Sequence, residues 1–109
     1  MGTIINVVAT ECQPEVEGKF NKWYDEVHIP LLFKFKGMKK VTRYKLRKEG
    51  GGKPSFLAIY EFANWQDYED YTKSAELAAA RAEMDETWKG GGFEITSRAQ
   101  YEFLRTWER

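Results

Sequence analysis

The chain has 109 residues, of which 42% are hydrophobic, so it can bury one core and is predicted to form a single domain over residues 1–109. Its 17 basic residues balance 17 acidic residues, and this zero net charge favours neither nucleic acid nor an anionic membrane as a partner. The lone cysteine, Cys12, excludes an intrachain disulfide and is expected to be a buried or edge thiol. No apolar run has membrane-spanning length, and we expect a cytoplasmic location.

The first predicted element is a strand over Thr3–Cys12, because β-branched and small apolar residues follow one another there almost without interruption. Asn6 interrupts this run and points to the same side of the strand as Ile4 and Val8. A buried amide needs hydrogen-bond partners. Asn6 is therefore interpreted either as a structural hydrogen-bonding residue or as a polar group that faces a cavity.

A helix is predicted over Pro14–Val27, and the only histidine of the chain, His28, follows it directly. The buried side of this helix is an apolar stripe at helical spacing, which consists of Phe20, Trp23, Tyr24 and Val27. Tyr24 and Asp25 precede His28 by four and three residues. Both spacings bring side chains together on a helix.

Pro30 lacks a backbone donor and disfavours the α conformation of the residue before it. The sequence therefore predicts a helix break at His28–Ile29 and a second short helix over Pro30–Lys36. Gly37 is predicted to end that helix in a left-handed conformation. A histidine at such a break would be held in position with its ring partly accessible.

Two further strands are predicted over Met38–Glu49 and Pro54–Ala63, joined by a loose turn at Gly50–Gly52. Their residues alternate between the two sides of a sheet.

Asn64 and Ser74 are residue types that cap helices, and they predict a helix that restarts once and continues through Trp88. The fourth strand is predicted over Arg98–Trp107, with Phe93–Ser97 as its lead-in.

The predicted order is β-α-β-β-α-β, the ferredoxin-like α+β layout with a four-stranded antiparallel sheet and two helices on one face. The other face is expected to carry Ile4, Asn6, Val8, Tyr44, Phe56, Ala58, Tyr60, Phe62 and part of Tyr101 or Phe103. Such a face is too apolar to remain in water. We therefore expect a homodimer joined through the sheet faces.

Three segments resemble a known family: FNKWYDEVHIPLL at 20–32, KGMKKVTRY at 36–44 and FLAIYEF at 56–62, together with Arg98. The chain is similar to the dimeric α/β-barrel superfamily, and within it to the EthD-like group named for ethyl tert-butyl ether degradation. The resemblance implies a homodimeric barrel with a pocket between sheet and helices, and small, often aromatic or polyketide-like substrates. Relatives include cofactor-free monooxygenases, isomerases, cyclases, decarboxylases and haem-handling enzymes, so the fold is better defined than the reaction.

The catalytic candidates are His28, Tyr24 and Asp25. The unperturbed pKa of a histidine is ~6.5, so His28 can move a proton near neutral pH. Tyr24 would stabilise a developing enolate or phenolate, and Asp25 would orient the imidazole.

The substrate-binding candidates lie on predicted strands and are Asn6, Arg43, Tyr44 and Tyr60. Arg43 is suited to bidentate binding of a carboxylate. In the alternative interpretation, His28 bonds a backbone carbonyl at the kink, and Arg43 pairs with Asp25 or Glu26. A single histidine and a single cysteine give no zinc spacing, and we expect neither a metal nor a cofactor.

Two classes of function follow. One is a small cofactor-free enzyme with proton-transfer, cyclase, decarboxylase or monooxygenase chemistry on an oxygenated aromatic or polyketide-like molecule, in degradation or secondary metabolism. The other is a non-catalytic ligand-binding or accessory dimer of a degradation pathway. Asp25 and His28 near a cavity favour the first class, whereas the absence of a second clear catalytic group favours the second.

Overall fold

The computed structural model describes residues 2–47 and 51–109 of the chain. In this part an antiparallel sheet contains β1 (Ile4–Cys12), β2 (Met38–Lys45), β3 (Ser55–Phe62) and β4 (Phe93–Glu102), in the order β2-β3-β1-β4. Helices α1 (Glu17–Trp23) and α2 (Ile29–Leu32) connect β1 to β2, and α3 (Trp65–Thr72) and α4 (Ala75–Thr87) connect β3 to β4. The predicted ferredoxin-like α+β fold is confirmed.

The helices cover the sheet face opposite to the one predicted. The covered face consists of Ile4, Asn6, Val8, Thr10 and Cys12 of β1 and Phe56, Ala58, Tyr60 and Phe62 of β3, all of them buried. The prediction that residues of this set form the open face was wrong. Alternation separates two faces but does not say which of them the helices cover. The set with the large aromatic rings is the one that packs on the helices.

The open face is nevertheless apolar. It carries Ile5, Val7, Ala9, Leu57, Ile59 and Ala99, all partly exposed, together with the exposed rings of Tyr44 and Tyr101. Tyr44 and Tyr101 thus lie on the predicted open face, whereas Phe103 lies just beyond the end of β4. A continuous apolar sheet face of this kind is typical of a surface that meets another protein.

The predicted break at His28–Ile29 is absent, because a π-helical turn over Tyr24–His28 connects α1 to α2. The amide of Ile29 donates to the carbonyl of Tyr24, five residues back, and Ile29 keeps helical angles of φ −62° and ψ −44°. A proline ring clashes with the carbonyl four residues before it in a regular α-helix. The wider turn displaces that carbonyl, so the helix passes Pro30 without breaking.

Helix α2 ends at Leu32, four residues earlier than the predicted end at Lys36. Gly37 does not adopt the predicted left-handed conformation; among the described residues, positive φ angles occur at Gly52, Gly91 and Gly92. A Cβ atom on Gly37 would lie 2.5 Å from Cε2 of Phe35. Glycine therefore permits the close approach of the Phe35 ring, which would have to shift for any larger residue.

Strand β4 begins at Phe93 and ends at Glu102, so the predicted strand over Arg98–Trp107 was placed too late. Gly91 and Gly92, at φ 85° and 127°, turn the chain directly into the strand. A bulge between Ala9 and Thr10 then lets β4 pair along the whole of β1. Strand β2 ends at Lys45, so Leu46 and Arg47 are not part of the strand, contrary to the prediction. The rest of the predicted extension, Lys48 and Glu49, and the first glycine of the loop lie outside the described residues.

Both predicted helix caps are confirmed. Asn64 Oδ1 accepts a hydrogen bond of 2.8 Å from the amide of Asp67, and Ser74 Oγ accepts one of 3.1 Å from the amide of Leu77. Cys12 is a free thiol, and it is buried, which is one of the two predicted alternatives.

The core is centred on Phe20, which is fully buried. Five aromatic rings surround it at centroid distances from 4.9 to 6.1 Å: Trp23, Tyr24, Phe56, Trp88 and Phe93. Rings at these distances in tilted and edge-on arrangements attract one another beyond the effect of burial alone. The cluster therefore fixes α1 against β3 and β4.

Phe62→Ala is expected to lower the free energy of unfolding by about 3–5 kcal/mol, because Phe62 is fully buried against Tyr68 and Tyr71. Phe33→Ala serves as the control, since Phe33 is half-exposed, and should change that free energy by only about 0.5 kcal/mol. Urea unfolding measures both. Equal losses would place Phe62 on the open face after all.

Candidate active site

A cavity of about 80 Å³ lies between the sheet and the helices. Asn6, Val8, Tyr60 and Arg98 line it from the sheet, and Trp23, Tyr24, His28, Tyr71 and Arg81 line it from the helical side. Arg81, Arg98 and Thr72 are exposed, and they form the outer rim. The cavity is thus an aromatic pocket that reaches solvent through a polar edge.

His28 is 9% exposed and lies against two rings. It stacks on Trp23 at a centroid distance of 4.6 Å with an interplanar angle of 24°, and it meets Tyr24 edge-on at 5.0 Å. Its Nδ1 atom is buried without a hydrogen-bond partner among the described residues. Burial lowers the pKa of His28 from 6.5 to about 4, against a smaller opposing effect of Glu83. The imidazole is therefore neutral at neutral pH.

Tyr24 and Tyr60 form a buried hydroxyl pair, with their oxygens 2.6 Å apart. Burial raises the pKa of Tyr24, and it raises the pKa of Tyr60 well above the ordinary value of 10.0. Both hydroxyls therefore keep their protons at neutral pH. Only one of the two protons can lie between the oxygens, so the second is available to a ligand.

Asn6 combines both roles that the sequence left open. Its Oδ1 accepts a hydrogen bond of 2.8 Å from Nε2 of Gln100 on the neighbouring strand, and the residue also lines the cavity. The hydrogen bond fixes the orientation of the amide.

Arg43 and Asp25 do not line the cavity but bind each other outside it. Nη1 of Arg43 donates to Oδ1 of Asp25 at 2.9 Å, and Nη2 donates to Oδ1 of Asn21 at 2.9 Å. The guanidinium lies 4.4 Å above the ring of Tyr24, so it supports Tyr24 from outside the pocket. This is the pairing named in the alternative interpretation, and it directs Asp25 away from the role of orienting His28.

Tyr44 is also separated from the cavity. It is 57% exposed and lies on the open face, because its position on β2 pairs with Leu57. The structure therefore brings together four of the seven predicted site residues: Asn6, Tyr24, His28 and Tyr60.

Several lining residues were not predicted. Trp23 is both a core residue and the ring on which His28 stacks, and its Nε1 donates to Oε1 of Glu83 at 2.9 Å. Arg81 follows the buried Leu77 by four residues and precedes Met84 by three, and both of these also line the cavity. A charged residue within an otherwise apolar helical stripe is the signal that indicates such a position.

No metal site and no membrane span is found among the described residues. Within 2–47 and 51–109, no three His, Cys, Asp or Glu side chains are grouped so that they could hold a metal ion. No helix in these ranges is long and apolar enough to cross a bilayer.

The fold and the cavity define a ferredoxin-like α+β domain with a pocket between its sheet and its helices. The chain belongs to the family described as a domain of unknown function, DUF4286, whose model matches residues 3–100. No curated protein matches it.

Solved structures share the fold over almost the whole chain. An EthD family protein from Bacillus halodurans C-125 is 16% identical, with a TM-score of 0.68 over 93% of this chain and 99% of its own. A Bacillus cereus protein provisionally described as an antibiotic biosynthesis monooxygenase is 12% identical, with a TM-score of 0.73 over 100% of both chains. A dimeric ferredoxin-like protein from an uncultured marine organism is 13% identical, with a TM-score of 0.69 over 97% of this chain and 99% of its own. The resemblance to EthD-like proteins is thus confirmed in the fold.

Stability should depend on pH through His28. The pKa of this residue is near 6.5 in the unfolded chain, whereas burial lowers it to about 4 in the folded chain. Between about pH 4 and pH 6.5 the unfolded state therefore binds more protons than the folded state. The stability that the neutral ring confers is complete above pH 6.5 and is lost as the pH falls to about 4. The free energy of unfolding should fall by about 3 kcal/mol over this pH range.

The measurement is urea unfolding of the native sequence and of His28→Gln at several pH values across this range. The difference in the free energy of unfolding between the native protein and the variant removes the contribution of the carboxylates, because these titrate in both proteins. A difference that stays constant with pH would show that the ring is not desolvated.

Proposed function

We propose that the protein is a small, cofactor-free enzyme that transfers a proton on an oxygenated small molecule held in the cavity. The supporting observation is that a neutral imidazole, whose Nδ1 has no hydrogen-bond partner in the described part of the chain, and a buried hydroxyl pair line the same aromatic pocket. An acceptor for a carbon-bound proton and a donor to the adjacent oxygen are the two groups that enolate formation needs.

His28 is the proton acceptor in this proposal. Its ring nitrogen takes a proton from the carbon next to a carbonyl, and the electron pair of that C–H bond moves onto the carbonyl oxygen. The products are an enolate and an imidazolium. Burial disfavours the charged ring in the empty pocket, whereas the negative charge of the enolate beside it stabilises the imidazolium. The two charges therefore form together, and the proton returns to the substrate in the reverse or isomerising step.

The tyrosine pair stabilises the enolate oxygen. One hydroxyl proton joins the two tyrosine oxygens, and the other is free to donate to the substrate oxygen. A donor that is already hydrogen-bonded to its neighbour is fixed before the charge develops. Arg43 above the ring of Tyr24 holds that tyrosine in place from outside.

The size of the cavity limits what enters it. About 80 Å³ is well below the roughly 300 Å³ of an ordinary drug-sized pocket and below the ~150 Å³ of a cavity that encloses benzene, so it accommodates a short oxygenated chain or part of one ring. A larger aromatic or polyketide-like molecule would place its reactive end inside and leave the remainder at the rim. The Bacillus cereus neighbour, described as a biosynthetic monooxygenase, supports a small-molecule enzyme, but a shared fold does not identify the reaction.

The proposed reaction is tested by solvent deuterium incorporation at the acidic carbon of small β-dicarbonyl compounds with alkyl and aryl arms, followed by proton NMR. The native protein should accelerate exchange for at least one of them. His28→Ala and His28→Asn should each lower the protein-dependent rate at least about 100-fold, the contribution of a general base, and Tyr60→Phe should lower it less. Circular dichroism should show the fold unchanged.

Two outcomes would contradict the enzyme proposal. One is exchange that survives in both His28 variants. The other is ligand binding without any exchange, which would favour the second class of function, a non-catalytic binding protein.

The protein is further proposed to form a homodimer through its open sheet face. That face is apolar over β1, β3 and β4, and the neighbour from an uncultured marine organism is described as dimeric. A two-fold arrangement buries the same patch on both copies.

Ile59→Lys should convert the protein from a dimer to a monomer, because the lysines would bring unpaired charge into the apolar interface. Sedimentation velocity should give about twice the chain mass of 12.8 kDa for the native sequence and the chain mass for the variant. Ala78→Lys places the same charge at an exposed position of α4 and should leave the dimer intact. A native protein that sediments as a monomer at micromolar concentration refutes the dimer.

A further inference from the structure

We infer that the ligand of the cavity is a carboxylate, held at the rim by Arg81 and Arg98. This inference deepens the proposed function and rests on it in one respect, namely that the cavity is the ligand site. The inference names the substrate class. It also assigns carboxylate binding to Arg81 and Arg98 instead of Arg43, the residue predicted for that role from the sequence.

The two arginines approach the rim from different parts of the fold. Arg81 comes from α4 and Arg98 from β4, and both line the cavity that His28 and the tyrosine pair also line. Within the described ranges, no aspartate or glutamate lines this cavity. The two charged side chains that line it are therefore both positive, while the carboxylate of Glu83, which is not part of the lining, accepts a hydrogen bond from Nε1 of Trp23. A rim with two cations attracts ligands of the opposite sign.

Neither arginine has a hydrogen-bond or ion-pair partner in the described part of the chain. Arg43, in contrast, pairs with Asp25, Lys45 with Glu17, and Lys89 with Glu86. Arg81 and Arg98 thus keep their planar donor forks free for a ligand, and a carboxylate is the anion that matches a guanidinium fork in a bidentate geometry.

The field of both arginines extends into the pocket. Burial raises the pKa of Tyr71, and Arg81 and Arg98 both act in the opposite direction. Burial likewise raises the pKa of Tyr24, and Arg98 is among the groups that oppose it. A carboxylate at the rim would place the atoms attached to it beside these rings and His28. The same two cations would stabilise the second negative charge that an enolate adds.

The experiment compares benzoate with benzamide, which has nearly the same shape and no charge. His28 is the only histidine, so its ring resonances in an NMR titration report on the pocket without assignment. Benzoate should bind at least about tenfold more tightly than benzamide, since a hydrogen bond to a charged group contributes about 1.5–3 kcal/mol. Benzoate should also raise the pKa of His28 above about 4, because a nearby negative charge favours the imidazolium.

Arg81→Gln and Arg98→Gln should each weaken benzoate binding about tenfold and leave benzamide binding unchanged. Arg47→Gln is the matched control, because Arg47 is exposed beyond the end of β2 and does not line the cavity. The inference is overturned if benzamide binds as tightly as benzoate, if benzoate does not shift the His28 resonances, or if both rim variants bind benzoate like the control. Arginine-dependent binding of benzoate without deuterium exchange on any substrate would uphold the inference and reject the enzyme proposal.

Discussion

The π-helical turn at Tyr24–His28 is the constraint on which the site depends. His28 follows Trp23 by five positions, and in a regular α-helix the two side chains would point about 140° apart around the axis. The wider turn brings them onto the same side, where their rings stack at 4.6 Å. Without that turn the imidazole would leave the pocket, the stacking would be lost, and Pro30 would break the helix. One local distortion therefore both accommodates the proline and buries the histidine.

Burial of polar groups in an aromatic core then sets the chemistry of the site. His28 Nδ1, Arg43 Nε and Trp88 Nε1 are buried without partners among the described residues, and a buried group left unsatisfied costs about 1–3 kcal/mol. A structural histidine would satisfy its nitrogen with a nearby carbonyl. The absence of such a bond at His28, next to a hydroxyl pair that retains a spare proton, supports the proposal that a ligand completes the polar groups of the pocket.

The order of elements, the two helix caps and the buried thiol could be predicted from the sequence, because each follows from local composition and periodicity. The sheet face that the helices cover could not be predicted, since the alternation of residues is the same for both sides of a strand. The π turn was missed because α-helical spacing was assumed through His28, which directed attention to Asp25 instead of Trp23. Arg98 is brought to the cavity by the pairing of β4 with β1, a long-range contact that no local pattern reveals.

Strand β3 links the two proposed surfaces. Tyr60 points into the cavity, and its neighbour Ile59 points to the open face. A second copy packed on Ile59 would keep water from the underside of the strand that positions Tyr60. The hydroxyl pair, whose oxygens lie 2.6 Å apart, would loosen if β3 moved by a fraction of an ångström. Because the two surfaces share this strand and are separated by the thickness of one sheet, dimerisation would stiffen the site without contributing a side chain to it.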